Sequence, residues 1–368
     1  MARKGKAVVC REMNAPVVVE TVEIADPKRD EVTLKMKACG VCHSDLSATN
    51  GTIPLPPPSV LGHEGCGIVE EVGEGVTDIK VGDTAIVSWV AMCGKCKYCA
   101  MGRPALCDVG AQATITLPDG TSRLTDGDGN TLNHFAGVSV MAEYATMHRD
   151  NIIRIDPDIP APAAALVGCA VMTGVGAALN TANVQPGSSV VVIGAGGIGL
   201  NVIQGAALAG AEKVIAVDME DKKLEFAAEF GATHRINPST DGDAVAKVME
   251  LTGDGADYAF ECIGLGATVE QTYNSIRKGG TAVVVGVSSL AETVTLGTFF
   301  MPFQEKILTG SMYGSARPRE DFPKLLALYQ ANRLKLDELV TATYSIDEAP
   351  RAFEDMQNGL NARGVIVF

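Results

Sequence analysis

Positive charge is scarce in this chain of 368 residues, because 30 lysines and arginines stand against 44 aspartates and glutamates and the formal net charge is −14. Nucleic acids and anionic membrane surfaces are bound through basic faces that contact phosphate groups. We therefore expect neither nucleic acid nor membrane as a partner. Any anionic ligand must be held by a local arrangement of groups.

Charged side chains are absent from one long stretch, residues 159–211. An uncharged run suggests a membrane segment, since about 20 apolar residues can span a bilayer. However, Pro160, Pro162 and Pro186 and repeated glycines interrupt the run, so we expect no apolar window of about 18 residues without helix breakers. We interpret the stretch as a buried seam between two domains.

The N-terminal region also lacks the apolar core of a signal peptide, because only residues 7–10 separate Lys6 from Arg11. The ten cysteines are then expected in a reducing compartment, where thiols stay free to bind metal instead of forming disulfides. A hydrophobic content of 46% with 20% charged residues is typical of a soluble globular enzyme. We expect a cytoplasmic protein.

The chain length predicts two domains. Up to about residue 90, short β-branched runs separated by glycine and proline predict a mostly antiparallel, barrel-like β domain. From Ser189 onwards, continuous apolar strands alternate with helical stretches, which is typical of a doubly wound parallel sheet. The predicted class is therefore α/β. The expected domains are residues 1–170, residues 171–312, and a return of residues 313–368 to the first domain.

Four cysteines lie close together in the sequence: Cys93, Cys96, Cys99 and Cys107. This spacing can close a tetrahedral site with four thiolate ligands, the geometry that structural zinc prefers. The alternative is a set of free surface thiols, which the spacing disfavours. The segment has no apolar periodicity, so a metal would supply the order that packing does not.

A glycine-rich turn, Gly194-Ala-Gly196-Gly197-Ile198-Gly199, follows a predicted strand and opens a predicted helix. Asp218 stands at the end of the next strand, which completes the fingerprint of a dinucleotide-binding turn. The glycines let the backbone approach a pyrophosphate at the helix N-terminus. Asp218 would accept hydrogen bonds from ribose hydroxyls and repel a 2′-phosphate, so NAD is favoured over NADP. The alternative is a turn that only packs a helix against a strand.

The motif Gly62-His63-Glu64-x-x-Gly67-x5-Gly73-x-x-Val76, the cysteine loop and the glycine turn together resemble the zinc-containing medium-chain alcohol dehydrogenases. The resemblance covers essentially the whole chain. The length, the cysteine loop and Pro118-Asp-Gly-Thr-Ser-Arg123 resemble the branch that includes class III alcohol dehydrogenase and the bacterial aryl-alcohol dehydrogenases. It implies a GroES-like catalytic domain, a Rossmann-type NAD-binding domain, and two zinc ions per chain, one catalytic and one structural.

The resemblance also implies roles for residues that spacing alone does not join. Cys42, His63 and Cys169 would bind the catalytic zinc, although a single histidine or cysteine is more often a packed core residue. Ser44 would take the substrate proton, Asp45 would orient the ligand histidine, and Glu64 would lie near the zinc. Several relatives carry a proton-relaying histidine where this chain has Ser47, so the path of the proton stays open.

On the cofactor side, the resemblance implies that His43 and Arg363 contact the pyrophosphate and that Lys223 contacts the adenosine ribose. Val285 and Val287 would line the nicotinamide. The three basic residues have the alternative interpretation of solvated surface charges. Homo-oligomers are expected, as a homodimer or a homotetramer.

An apolar substrate pocket is expected around Ile53, Trp89 and Tyr313. Glutathione-dependent relatives carry an acid at the position of Ile53 and an arginine at that of Ala111, so both charged anchors are missing. This favours a hydrophobic primary alcohol, aromatic alcohols included, and its aldehyde. Three alternatives stay open: an S-(hydroxymethyl)glutathione dehydrogenase, a nicotinoprotein with tightly held NAD, and a protein that binds NAD without chemistry.

Overall fold

The computed structural model describes residues 3–110 and 114–368, and Ala111 lies outside the described residues. The chain divides into two compact units. Unit 1 comprises the residues up to Cys169 together with Arg317–Asn332 and Leu336–Phe368, and unit 2 comprises Ala170–Ala316 and Arg333–Lys335. The return to the first unit was expected at residue 313, but residues 313–316 belong to unit 2. The reason is local, since the Asn180 side chain donates a hydrogen bond to the Gly314 carbonyl.

Strands are numbered in chain order through the described residues. They are β1 Arg3–Cys10, β2 Val18–Ile24, β3 Glu31–Val41, β4 Ser59–Val60, β5 Gly65–Val72, β6 Thr84–Val87, β7 Leu124–Thr125, β8 Asn133–His134, β9 Tyr144–His148, β10 Ile152–Arg154, β11 Ser189–Ile193, β12 Lys213–Val217, β13 His234–Ile236, β14 Ala256–Glu261, β15 Ile276–Val284, β16 Ile307–Gly310, β17 Val340–Tyr344 and β18 Arg363–Val367.

The α-helices are α1 His43–Thr49, α2 Lys97–Ala100, α3 Ala161–Leu166, α4 Met172–Gly176, α5 Gly197–Leu208, α6 Asp221–Glu229, α7 Pro238–Asp241, α8 Ala244–Thr252, α9 Gly266–Asn274, α10 Met301–Gln304, α11 Pro318–Gln330 and α12 Ala349–Gln357. Short 3₁₀ turns lie at Pro104–Leu106, Arg149–Asn151, Tyr313–Ser315 and Ile346–Glu348, and π-helical turns lie at Val167–Val171 and Ala177–Thr181.

Unit 1 contains two mostly antiparallel sheets. One has the strand order β7-β2-β1-β4-β8, and the other has the order β10-β6-β5-β3-β18-β17 with β9 also pairing with β3. The long strand β3 supplies fully buried side chains such as Leu34 and Met36 to the main core of this unit. The prediction of a mostly antiparallel β-rich domain is confirmed. Its last two strands come from the C-terminal segment of the chain.

Unit 2 is built on a six-stranded sheet with the order β13-β12-β11-β14-β15-β16. Every neighbouring pair in this sheet is parallel. Numbered within the sheet, the order is 3-2-1-4-5-6, which defines the doubly wound dinucleotide-binding topology. Val190, Val191 and Val192 on the central strand β11 are fully buried, as expected for a strand that is covered on both faces. The predicted Rossmann-type sheet is confirmed.

The uncharged stretch forms one continuous helical segment from Ala161 to Thr181, of 21 residues with a mean hydropathy of 1.8. The expectation that its prolines and glycines break every apolar window was wrong. Pro162 lies in the first helical turn, where its missing amide hydrogen is not needed. The segment is long and apolar enough to cross a membrane, but 89% of its most apolar window is buried inside the structure. It is a core helix of the protein.

Candidate metal and dinucleotide sites

The four cysteines of the predicted structural site come together around α2 and the 3₁₀ turn that follows it. The Sγ atoms of Cys93, Cys96, Cys99 and Cys107 all lie within 4.8 Å of one another. The Cys93 and Cys99 Sγ atoms are 4.0 Å apart, and those of Cys96 and Cys107 are 3.9 Å apart. A zinc ion with four thiolates at about 2.3 Å would separate its ligands by about 3.8 Å, so the cluster fits tetrahedral zinc.

Backbone amides around this cluster point at sulfur. The amide of Cys96 donates to Cys93 Sγ at 3.3 Å, and the amide of Gly110 donates to Cys107 Sγ at 3.4 Å. The amide of Cys99 lowers the pKa of the Cys96 thiol to about 6, whereas burial and the neighbouring thiols raise the pKa of Cys99 to about 12. The thiolates therefore repel one another unless a cation balances their charge, which is the electrostatic requirement of a metal site.

The second cluster forms where β3 ends and β5 begins. These strands are antiparallel neighbours, with Cys39 opposite Gly65, so Cys42 after β3 lies beside His63 before β5. Cys42 is the N-terminal cap of α1, and His43, Ser44 and Asp45 form the first turn of this helix. Cys169 follows Gly168 within a helix, in the π-helical turn Val167–Val171.

One ligand atom each from Cys42, His63, Glu64 and Cys169 lies within 4.8 Å of the others, and all four residues are buried. π-helical turns inside α-helices often occur at functional sites because they displace a side chain from the regular helical position. The structure thus brings together the three residues that the resemblance assigned to zinc, and it places beside them the carboxylate of Glu64, which the resemblance put near the metal. All of them belong to unit 1.

Asp45 fixes the orientation of His63. Its Oδ1 atom lies 3.3 Å from His63 Nδ1 and accepts the Gly62 amide at 2.9 Å, while Oδ2 accepts the Cys42 amide at 3.2 Å. Among the described residues, the other ring nitrogen, His63 Nε2, is buried without a hydrogen-bond partner. A carboxylate on one imidazole nitrogen and an unpaired second nitrogen are the arrangement of a metal-ligating histidine. The donor set therefore fits zinc.

The charges of this cluster also call for a cation. The adjacent Cys169 thiol and His63 hold the pKa of Cys42 well below its usual value, although burial opposes this, while the Cys42 thiolate and burial raise the pKa of Cys169. Burial disfavours the charged imidazole, yet Asp45 and Cys42 together raise the pKa of His63 well above its usual value. A bound dication would replace the protons that these groups otherwise share.

Glu64 pairs with Arg363 inside unit 1. The Arg363 guanidinium donates to Glu64 Oε2 and to the Val41 carbonyl at 3.2 Å. Burial raises the pKa of Glu64 to about 7, although Arg363 opposes this. Arg363 is only 5% exposed, so its alternative interpretation as a solvated surface charge is wrong. The predicted contact with the cofactor pyrophosphate stays a prediction, and the pairing with Glu64 was not foreseen from the sequence.

An aromatic ring from the hydrophobic core of unit 1 lies against this cluster. The ring of buried Phe135 packs edge-on against His63, with centroids 5.2 Å apart. Ile53 and Trp89 are partly buried and pack against the same hydrophobic core. Phe135 was missed by the sequence analysis because no local motif connects it to His63. The Ser44 hydroxyl lies 3.7 Å from Cys42 Sγ, which leaves its role in proton transfer a prediction.

In unit 2, the glycine turn has the local geometry that a pyrophosphate requires. Gly194 has φ +96°, and a Cβ on Gly199 would lie 1.8 Å from the Gly194 carbonyl oxygen, so neither position accepts a side chain. A Cβ on Gly196 would instead meet no atom within 4 Å. Gly196 caps α5, whose first residues Gly197 and Ile198 present amides at the helix N-terminus. The open side of the turn therefore fits an anionic ligand.

The other residues that were predicted to contact the cofactor differ in their positions and in their exposure. Asp218 follows β12 and accepts the Ala195 amide of the glycine turn at 2.8 Å. Lys223 pairs with Glu220 at 2.6 Å. Val285 and Val287 follow β15 and differ in environment, since Val285 is buried and Val287 is 61% exposed. His43 is in α1 of unit 1. Tyr313, which was predicted for the substrate pocket, is buried in unit 2.

Comparisons with known proteins agree with both parts of this description. Residues 28–157 match the alcohol dehydrogenase GroES-like domain, and residues 197–331 match the zinc-binding dehydrogenase model. The chain is 43% identical to an NDMA-dependent alcohol dehydrogenase of Amycolatopsis methanolica, with 99% of each chain covered. It is 39% identical to an S-(hydroxymethyl)glutathione dehydrogenase of Saccharomyces cerevisiae, with 98% of this chain and 95% of the relative covered.

Among solved structures, the benzyl alcohol dehydrogenase of Acinetobacter calcoaceticus superposes with a TM-score of 0.92 at 34% identity, over 100% of this chain and 99% of the other. Fold, site and relatives define a zinc-binding, nicotinamide-dependent oxidoreductase. The chain belongs to the zinc-containing alcohol dehydrogenase family. The resemblance stated from the sequence is thereby confirmed, as are zinc and a nicotinamide dinucleotide as the cofactors.

Proposed function

We propose that the protein is a zinc-dependent, NAD-linked alcohol dehydrogenase that converts hydrophobic primary alcohols, aromatic ones included, to aldehydes and back. The observation that carries this proposal is the buried cluster of Cys42, His63 and Cys169, in which Asp45 holds the histidine and leaves Nε2 unpaired. A zinc ion bound there supplies a Lewis acid that lowers the pKa of an alcohol, and the nicotinamide of NAD accepts a hydride.

The residues of the chain hold the reactants and move the proton. Cys42, His63 and Cys169 hold the metal, and their apolar neighbours exclude water from it. Ser44 would pass the hydroxyl proton of the alcohol towards solvent, and NAD⁺ held by unit 2 would supply the hydride acceptor, so that the products balance as aldehyde, NADH and one proton. Glu64 and Arg363 stabilise each other beside the metal ligands.

The cofactor is proposed to be NAD because Asp218 stands beside the glycine turn with its Oδ2 on the Ala195 amide. A carboxylate at this position accepts hydrogen bonds from ribose hydroxyls and repels a 2′-phosphate. Comparing kcat/KM for NAD⁺ and NADP⁺ tests this assignment. A preference for NADP⁺ would contradict it.

The substrate class is inferred from apolar neighbours. Phe135 packs against His63, and Ile53 and Trp89 pack on the same core. An apolar wall binds hydrocarbon groups but offers no charged anchor for the carboxylates of a glutathione adduct.

Turnover of benzyl alcohol, a medium-chain alkanol and S-(hydroxymethyl)glutathione tests this class. We expect the two hydrophobic alcohols to have the higher kcat/KM. Ile53→Glu should lower kcat/KM for benzyl alcohol, because it places a charge in the apolar wall. Val81→Glu, at a well-exposed position of unit 1, serves as the control. A clear preference of the wild type for the glutathione adduct would contradict the proposal and favour the glutathione-dependent alternative.

A second candidate is a nicotinoprotein that keeps NAD bound through many turnovers. It is favoured by the 43% identity to a relative named for its dependence on NDMA. Denaturing the purified protein and assaying the supernatant for NAD(H) distinguishes the two. About one cofactor released per chain, together with NDMA-dependent turnover without added NAD, would support the nicotinoprotein, whereas a cofactor-free protein would exclude it.

We propose further that the protein forms a homodimer through unit 2. Phe299, Phe300 and Phe303 are 73%, 60% and 68% exposed and contact one another. Next to them, β16 is the last strand of its sheet within the described residues, so one edge can pair with a second copy. Sedimentation of Phe299→Asp/Phe303→Asp should give a monomer, and an unchanged mass would contradict this interface.

The proposed compartment is the cytoplasm. All ten cysteines are free thiols in the described residues. A reducing environment allows this, because it keeps thiols from forming disulfides.

A further inference from the structure

The turn that follows β16 has an unusual backbone. Tyr313, Gly314 and Ser315 are consecutive residues with φ values of +54°, +64° and +51°. Glycine adopts this left-handed region freely, but a bulky aromatic residue there is an outlier that the surrounding structure must hold in place. Strained backbone of this kind is concentrated at binding sites, which makes the means of holding it informative.

Two side chains at the end of the long helix hold this turn. Thr181 Oγ1 lies 2.8 Å from Ser311 Oγ and 2.8 Å from Ser315 Oγ, so its hydroxyl joins a residue two positions before the turn to the last residue of the turn. The Asn180 side chain donates to the Gly314 carbonyl at 3.2 Å. Thr181 is therefore the one hydroxyl in this set that bonds to both sides of the left-handed segment.

Close backbone packing also restricts the conformations that the turn can adopt. A Cβ on Gly314 would lie 2.2 Å from the Met172 carbonyl oxygen, and a Cβ on Gly176 would lie 2.4 Å from the Gly314 carbonyl oxygen. Two glycine backbones are thus in direct contact between α4 and the turn. All of these residues belong to unit 2.

The sheet topology indicates which half of a bound dinucleotide would lie near this turn. In the order β13-β12-β11-β14-β15-β16, the glycine turn follows the central strand β11 and Asp218 follows β12 on one side. The adenosine half of NAD lies on the Asp218 side, so its nicotinamide half crosses the carboxyl ends of β14, β15 and β16. The Tyr313–Ser315 turn follows β16 and lies on that second side.

We propose that Thr181 is a positioning residue for the nicotinamide half of the cofactor. Its hydroxyl holds the Tyr313–Ser315 turn in the left-handed conformation, so that the turn presents its backbone groups to nicotinamide without reorganising when the cofactor binds. This inference rests on the proposed use of NAD. It assigns a function to a residue that does not itself contact the reacting atoms.

Isothermal titration with NAD⁺ and with ADP-ribose, which lacks only the nicotinamide, tests the proposal. Thr181→Val removes both hydroxyl contacts at nearly constant shape. We expect it to weaken NAD⁺ binding by about tenfold while ADP-ribose binding changes by less than about twofold. In steady-state assays the KM for NAD⁺ should rise, whereas kcat at saturating NAD⁺ should change little. Thr181→Ser, which keeps the hydroxyl, should restore wild-type binding.

Thr272→Val is the matched control, because Thr272 is a fully buried threonine of unit 2 whose hydroxyl donates to the Thr268 carbonyl within α9. It should leave the affinity for both ligands unchanged. Equal weakening of NAD⁺ and ADP-ribose by Thr181→Val would overturn the proposal in favour of general destabilisation, and so would unchanged binding of both. If wild-type protein that has been freed of any bound cofactor binds neither ligand, the proposed cofactor itself is wrong, and this result is distinct from every result expected of the variants.

Discussion

At the scale of single residues, Asp45 has the clearest part in preparing the candidate zinc site. Its carboxylate accepts two backbone amides and contacts His63 Nδ1, so the ring is oriented before any metal binds. Position alone would not identify this role, since Asp45 lies in α1 and His63 lies in another segment. The antiparallel pairing of β3 with β5 brings them together.

Replacing Asp45 by asparagine should lower the affinity of this site for zinc by about 10- to 100-fold, because the amide cannot hold the imidazole tautomer as the carboxylate does. Competition with a chromogenic chelator measures the loss, and the four-cysteine cluster provides an internal reference that should keep its zinc. Asp347→Asn, which changes an exposed ion pair with Lys6, is the control. Loss of both zinc ions at equal chelator concentration would contradict the assigned role.

His134 makes a testable contribution to stability at acidic pH. Burial, together with the nearby Arg123 charge, lowers the pKa of His134 to about 3. Between about pH 6.5 and pH 3 the unfolded chain therefore binds a proton at this residue that the folded chain does not. The stability that a neutral His134 provides is complete above about pH 6.5 and is lost as the pH falls toward 3.

The free energy of unfolding should fall less steeply with decreasing pH in His134→Gln than in the wild type. We expect the two slopes to differ by about 1.4 kcal/mol per pH unit in this window. Urea unfolding of both proteins between pH 8 and pH 4 measures the two slopes. The variant will have its own stability at pH 8, so only the difference in slope is diagnostic. Parallel curves would show that His134 takes up its proton in the folded protein as readily as in the unfolded chain.

At the scale of elements, the glycine turn between β11 and α5 contains one glycine that the fold requires and another that leaves space for a ligand. A Cβ at residue 199 collides with the Gly194 carbonyl, whereas one at residue 196 meets open space. The same substitution should therefore have two different consequences at two positions of one motif.

Gly199→Ala should destabilise the protein by about 2–4 kcal/mol, because the backbone must move. Gly196→Ala should leave the melting temperature nearly unchanged. It should lower the affinity for NAD⁺ by about tenfold or more, since the methyl group would occupy the space that the pyrophosphate needs. Thermal melts and NAD⁺ titrations of both variants check this. Equal destabilisation by the two substitutions would contradict the assignment of the open side to the cofactor.

The elements also show where local patterns mislead. Pro162 and the glycines of residues 161–181 suggested breaks, but the segment stays helical because Pro162 lies in the first turn and glycines permit close packing, as between Gly176 and Gly314. Tertiary packing therefore stabilises a helix whose local propensity is low.

At the scale of the whole molecule, the ligands divide between the two units. The two thiol-containing clusters lie in unit 1, whereas the glycine turn, Asp218 and the Tyr313–Ser315 turn lie in unit 2. Ligand binding should therefore stabilise different parts of the chain, because a ligand protects the structure that holds it.

Hydrogen exchange followed by mass spectrometry should show this division. Removing zinc is expected to raise exchange in peptides that contain residues 42–64 and 93–107, whereas adding NAD⁺ should lower exchange in peptides around residues 194–199 and 311–316. A uniform response of the chain to either treatment would show that the effects are not confined to the unit that holds the ligand.

The sequence by itself determined the features whose parts are close along the chain. The four cysteines of one loop, the glycine turn between a strand and a helix, and the apolar strands of the parallel sheet need only local spacing to be identified. Resemblance to a family was needed to connect Cys42, His63 and Cys169. The tertiary structure decided the rest: the Glu64–Arg363 pair, Phe135 against His63, and Thr181 against the left-handed turn. Each joins residues far apart in sequence, and only strand register and helix packing bring such residues into contact.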